Sequence, residues 1–291
     1  MSDVFTIDTA ICDVSLDASE ETKWSRIKVA ACHGTSRVVS CRSVQPLKIL
    51  NPRNLSDCSQ VYLSSYGGGL VAGDDIRLDI ECEANSKLFL GTQADTKIYK
   101  SVDGKTARQH IRGHIGKDAT AVILPDALIP FADSRFEQIQ EWHLNSSSNL
   151  MLVDWIHSGR TGHGECFDFD SLRSEICIRI DGKKRVIDRL QIEPSMGDPR
   201  AAGAFGTYRS YLSMYIVGKS LRNMLQDLDL FQTRMLQNPD FWVVANPAGD
   251  DALIIRVMST KKEAVSYFVK DISRALASND ILGFDPYKRK Y

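Results

Sequence analysis

The sequence predicts a mainly β protein with two amphipathic α-helices confined to its C-terminal third, and three observations predict it. From about Ser25 to Pro194 the apolar residues come in short runs separated by Gly, Pro, Asn, Asp and Ser, the pattern of successive strands and turns. Within that body Glu175–Ile180 alternates cleanly: Ile176, Ile178 and Ile180 share one face, Cys177 and Arg179 the other, and Asp181-Gly182 supplies the turn. After Gly218 the period lengthens. Leu221, Met224, Leu225, Leu228, Phe231 and Met235 recur at helical spacing and stop before Asn238-Pro239; Val265, Phe268, Val269, Ile272 and Leu276 mark a second helix over about 261–277.

Taken in order, strands are expected around 61–63, 76–80, 87–90 and 175–180, and two more, 241–245 and 252–258, between the helices. Ser195–Gly206 is rich enough in Gly, Ala and Pro to read as a mobile loop. Without repeats or a long linker, the simplest organisation is one unit over 1–291. It has a β-rich body over about 25–206 and a helix and strand portion over about 207–291.

Composition narrows the function. Of 291 residues 43% are hydrophobic and 25% charged, with a formal net charge of -1, which gives neither a nucleic-acid footprint nor a solvated disordered chain. Seven cysteines without a CxxC pair argue against a disulfide framework or structural zinc, and most read as small buried hydrophobes. Met1–Ala18 lacks the basic and apolar stretches of a secretory signal, and no window approaches the roughly 20 apolar residues of a membrane span; the cytoplasm is the expected location.

No GxSxG, kinase set or cysteine nucleophile motif is present. The glycines of Tyr66–Asp74 precede a strand pattern and lack Gly-Lys-Ser/Thr, so a tight turn is expected there instead of a phosphate loop. His157, His163 and Cys166 fit no zinc spacing and suggest at most weak metal contact; His110 and His114 read as a solvated pair on a strand. More informative are carboxylates set in apolar runs, Asp154 in Leu150–Ile156 and Asp188 in Val186–Leu190, with Glu165 and Asp74 each following a glycine. A desolvated carboxylate needs an arginine, an exposed face or a hydrated cavity, and the sequence leaves all three open. Gly91–Ser101 is unusually polar, either a hydrogen-bonding surface or an edge strand guarded by Lys97 and Lys100.

In this order and spacing, five segments spread over roughly half of the chain resemble the urease accessory protein family called UreD, or UreH. They are GGGLVAGDDIRL (67–78, with Gly67, Gly68 and Gly73), LGTQADTKIYKS (90–101, with Thr92, Gln93, Lys97 and Tyr99), LPDALIPFADSRFEQ (124–138, with Pro125 and Asp126), VDWIHSGRTGHGECF (153–167, with Gly159 and Arg160) and VIDRLQIEP (186–194). The resemblance implies stacked, β-helical sheets with two helices, and a maturation chaperone without catalysis of its own. It implies binding to apo-urease and a UreF-type accessory protein, and through the latter to a UreG-type GTPase, with nickel in transit and no tightly bound cofactor. Asp74, Asp154, Glu165 and Asp188 are then expected along a nickel passage, with His157 and His163 as less secure additions. The alternatives are a β-rich protein-binding module without a metal role and a metal-dependent hydrolase.

Overall fold

The computed structural model describes residues 22–53, 56–224 and 239–289. A hairpin of β1 (Ser25–Cys32) and β2 (Thr35–Arg42) and the short β3 (Leu47–Leu50) precede a solenoid of about 4 turns. The first three turns are β4 (Ser59–Ser65), β5 (Gly69–Leu70) and β6 (Asp75–Cys82); β7 (Lys87–Thr92), β8 (Thr96–Ile98) and β9 (Ala107–Ile115); and β10 (Thr120–Leu124), β11 (Leu128–Pro130) and β12 (Arg135–Leu144). The fourth runs from β13 (Asn149–His157) through a 3-10 turn at Thr161–His163 to β14 (Ser171–Ile180). Then come β15 (Lys183–Ile192), β16 (Ser210–Val217), α1 (Lys219–Met224), β17 (Phe241–Ala248), β18 (Ala252–Ser259) and α2 (Lys262–Leu276).

Corresponding strands of successive turns stack in parallel. One sheet has the order β15-β14-β12-β9-β6-β1-β2, the second β17-β18-β16-β13-β10-β7-β4-β3, and β5, β8 and β11 form a short ladder between them. Tight corners recur from turn to turn where Asn85, Asp118, Asp103 and Asp133 take φ of 60°, 56°, 54° and 58°, a conformation these short polar side chains tolerate. Period-two alternation sends Leu78, Ile80, Ile111, Ile176 and Ile178 of the first sheet inward against Leu88, Leu90, Ile123, Leu150 and Leu152 of the second. The outer face of the second sheet is covered too: Phe89, Val122, Met151 and Val153 pack with Val265, Phe268, Ile272 and Leu276 of α2. β13, sandwiched between these layers, is therefore buried along its whole length.

The expected mainly β, stacked-sheet fold with two helices is what the structure shows. The first helix is described only over Lys219–Met224, and Leu225, Leu228, Phe231 and Met235 lie outside the described residues. Three expectations are corrected. β8 pairs with β5 on one side and β11 on the other, so it is no edge strand. Of the six cysteines described, only Cys58 and Cys82 are buried, because the others fall on outward faces or loops. His110 and His114 are not merely solvated: residues four apart share a face on a strand as well as on a helix, and on that face His114 stacks on His143 with ring centres 4.9 Å apart, while His110 pairs with Glu141 at 3.3 Å. Among the described residues no helix is long and apolar enough to cross a membrane.

In-register stacking makes Gly113 a packing position. A Cβ there would lie 2.2 Å from Cε3 of the buried Trp142, its partner on β12. Gly113→Ala is expected to lower stability by about 1–3 kcal/mol, read as a lower denaturant midpoint, while Gly197→Ala, with nothing within 4 Å, leaves the midpoint in place.

Candidate functional site

Between the two sheets the apolar lining is interrupted by one polar rung. Ile76, Gln109, Gln138 and Ser174 are neighbours in register across β6, β9, β12 and β14, so three polar side chains sit side by side where the next rung carries Leu78, Ile111, Gln140 and Ile176. Facing them from β13 is Asp154, buried at 8% exposure. Gln138 donates from Nε2 to Asp154 Oδ1 at 2.7 Å, and Ser174 donates from Oγ to Oδ2 at 2.7 Å. Gln138 also donates to Ser174 at 2.7 Å, which closes the triangle. Among the described residues no Lys or Arg pairs with this carboxylate, and burial raises its pKa above the ordinary value.

Beside Asp154 lies a cavity of about 280 Å³. Most of its wall is apolar, with Leu63, Leu70 and Ile123 among its lining residues, and it is roomy enough for several waters, each taking about 30 Å³ in the liquid. Gln109, Gln138, Gln140 and Asp154 line its depth, and Gln93, Ala94 and Lys97, all exposed, line its outer end. That mouth is built by the polar segment after β7: Thr92 donates to Asp126 Oδ2 at 2.9 Å and accepts from the Asp126 N–H at 2.7 Å, and Ser64 donates to Gln93 at 2.9 Å. Gly91–Lys97, the first part of that polar segment, is thus the entrance wall of an interior cavity, and Pro125 and Asp126 complete it.

The other predicted residues are placed as follows. Asp74 closes a turn, its Oδ2 accepting from the Val71 N–H at 2.8 Å; Gly68 and Gly73, at φ of 69° and 87°, give the tight turns expected there. Tyr99 lies on Gly69, where a Cβ would be 2.7 Å from its ring, and donates to the Gly67 carbonyl at 3.3 Å, so these motif residues form one packing contact. Glu165 is ion-paired with Arg160, whose hydrogen bonds hold the carboxyl below its usual range, and Arg160 rests on the Phe131 ring at 4.1 Å after Gly159, at φ of 136°. His157 is buried between Ser210 (2.8 Å) and Thr161 (3.3 Å), and burial lowers its pKa to about 4. His157 and His163 line a separate hollow of about 510 Å³ with Lys97, Arg160, Lys261 and Lys262. Asp188 accepts from Arg256 Nη2 at 2.7 Å and from the Tyr215 hydroxyl.

Of the four predicted carboxylates, only Asp154 lines the cavity. Asp74 and Glu165 are tied into a turn and a loop, and Asp188 has an arginine. The sequence reading missed Gln138, Ser174, Gln109 and Gln140. A signal was there: in Phe136-x-Gln138-x-Gln140-x-Trp142 the two glutamines fall on the face of the two large aromatics.

The sequence profile described as "UreD urease accessory protein" matches residues 24–290. The chain belongs to the UreD family. The protein named urease accessory protein UreD of Cytophaga hutchinsonii is 31% identical over 281 residues, covering 92% of this chain and 98% of its own. That of Anaeromyxobacter sp. (strain Fw109-5) is 31% identical over 268 residues, covering 91% and 88%, and urease accessory protein D of Arabidopsis thaliana is 37% identical over 153 residues, covering 51% and 52%. Membership of the UreD family implies a role in urease maturation, and these relatives are named as accessory proteins, not as enzymes.

The buried carboxylate has a pH signature. Because burial raises the Asp154 pKa above 3.8, the folded chain binds that proton more tightly than the unfolded chain, and stability from this group is lost as pH rises from the ordinary value through the raised one. Asp154→Asn keeps the shape, and Ser174 can rotate to accept from the new amide. The variant is expected to be more stable than the parent at pH 7, in urea titrations at a series of pH values, with the difference closing toward pH 3.

Proposed function

We propose that the chain is a nickel-delivery scaffold of urease maturation in the cytoplasm. It binds apo-urease and a UreF-type accessory protein, through the latter a UreG-type GTPase, and passes Ni²⁺ along the interior cavity to the urease site. Nickel is cargo in this reading, not a resident cofactor.

The observation that carries it is Asp154: an interior carboxylate without a cationic partner among the described residues, beside a cavity of about 280 Å³ that reaches the surface and brings Gln109, Gln138 and Gln140 to the same depth. Desolvating an unpaired carboxylate costs several kcal/mol, which a purely structural position would avoid with an arginine or an apolar residue. Ni²⁺ is served by oxygen donors from carboxylate, amide and hydroxyl groups that it can exchange one for another, whereas a closed set of four strong ligands would retain it. Gln109, Gln138, Gln140 and Asp154 supply such oxygens at the cavity's depth, and Gln93 and Asp126 at its mouth. Among the described residues no three His, Cys, Asp or Glu side chains converge as a metal site, so donors are met singly.

Urease co-expressed with its other accessory proteins is expected to carry nickel and activity only when this chain is present. Asp154→Asn is expected to co-purify with the same partners while lowering urease nickel content at least several-fold, measured by elemental analysis. Full nickel loading with the variant removes the passage; equal urease activity with and without the chain removes the function.

A further inference from the structure

A line of polar side chains continues past Asp154 toward the surface. Asp154, Ser213 and Arg256 are neighbours in register across β13, β16 and β18, and Asp188 approaches from β15 of the facing sheet. The Arg256 guanidinium donates to Asp188 at 2.7 Å, to Ser213 at 2.9 Å and to the Tyr211 hydroxyl, which also accepts from Ser213 at 3.0 Å. Tyr215, almost wholly buried, donates to Asp188 from the inner side. The side chains of Arg256 and Asp188 are 31% and 17% exposed, so this ion pair stands where the interior meets solvent.

We propose that this line of side chains is a second exit for the ion and that Arg256 is its gate, an inference that rests on the nickel-passage reading. A guanidinium and a divalent cation cannot share one carboxylate in a poorly hydrated site, because their repulsion is screened far less there than in water. With the guanidinium in place, Asp188 is neutralised and the empty path is closed to cations. When the guanidinium swings to the adjacent solvent, Asp188, Asp154 and the Tyr215 hydroxyl become oxygen donors for the incoming ion. The exchange replaces one positive partner of Asp188 with another, so Asp188 is not left bare at either stage. Tyr211 and Ser213 set the balance by holding the guanidinium inward; Arg256 acts through Asp188 and is a positioning residue.

The test is Ni²⁺ binding to the purified full-length chain by isothermal titration calorimetry, beside urease nickel loading in co-expression. Arg256→Gln keeps hydrogen bonds but removes the charge, and is expected to bind Ni²⁺ about tenfold more tightly than the parent. Arg256→Lys keeps the charge and is expected to match the parent, and Asp188→Asn added to Arg256→Gln is expected to abolish the gain. Tyr211→Phe, which loosens the guanidinium without altering any charge, is expected to give a smaller gain and serves if Arg256→Gln does not fold. No gain in either variant, an equal gain in Arg256→Lys, or a gain that survives Asp188→Asn overturns the gate. Failure of the gate with Asp154→Asn still lowering urease nickel would condemn the gate alone; a gain in Arg256→Gln with Asp154→Asn loading urease fully would condemn the functional reading instead.

Discussion

The site depends on one interaction, the clamp of Gln138 and Ser174 on Asp154 across the interior. A parallel solenoid stacks each inward residue on its counterparts in the turns before and after, so a polar residue in one strand sits in a column and not alone. Here the column of Gln109, Gln138 and Ser174 coincides with Asp154 on the opposite sheet. The same register that gives the rest of the core its apolar rungs therefore gives this level a group of polar side chains beside a cavity.

Two interior carboxylates in one protein receive different treatment, and the contrast is informative. Asp188 has Arg256 and Tyr215 around it and stands near the surface; Asp154 has only neutral donors and stands deeper. Neutral hydrogen bonds satisfy the carboxylate oxygens but leave the negative charge uncompensated, which costs stability and leaves the group ready for a cation. The apolar rungs beyond the polar level and the layer under α2 carry the stability that this level does not.

Much of the fold was legible in the sequence because strand period and turn residues are local. Glu175–Ile180 and 252–258 fell within the strands Ser171–Ile180 and Ala252–Ser259, and the second helix within a residue of its ends. The pairing of strands from separate turns was not legible from periodicity, since it is set by contacts between residues far apart in sequence; the family resemblance supplied it. At the site, Asp154 stood out because a lone charge in Leu-Met-Leu-Val-Asp-Trp-Ile is locally anomalous. Asp74 and Glu165 were singled out for following a glycine, yet an Asx-type turn and a five-residue loop to Arg160 satisfy them. Arg256 could not be matched to Asp188 from sequence, because β15 and β18 belong to different sheets.

The central claim is that the interior cavity admits a divalent cation at Asp154. Crystals of the full-length chain soaked in Ni²⁺ and measured at the nickel absorption edge test it most directly. The account predicts an anomalous peak within bonding distance of the Asp154 carboxylate, inside the cavity and absent in Asp154→Asn. Nickel found only on surface histidines such as His114 and His143, with the cavity holding water alone, would contradict it.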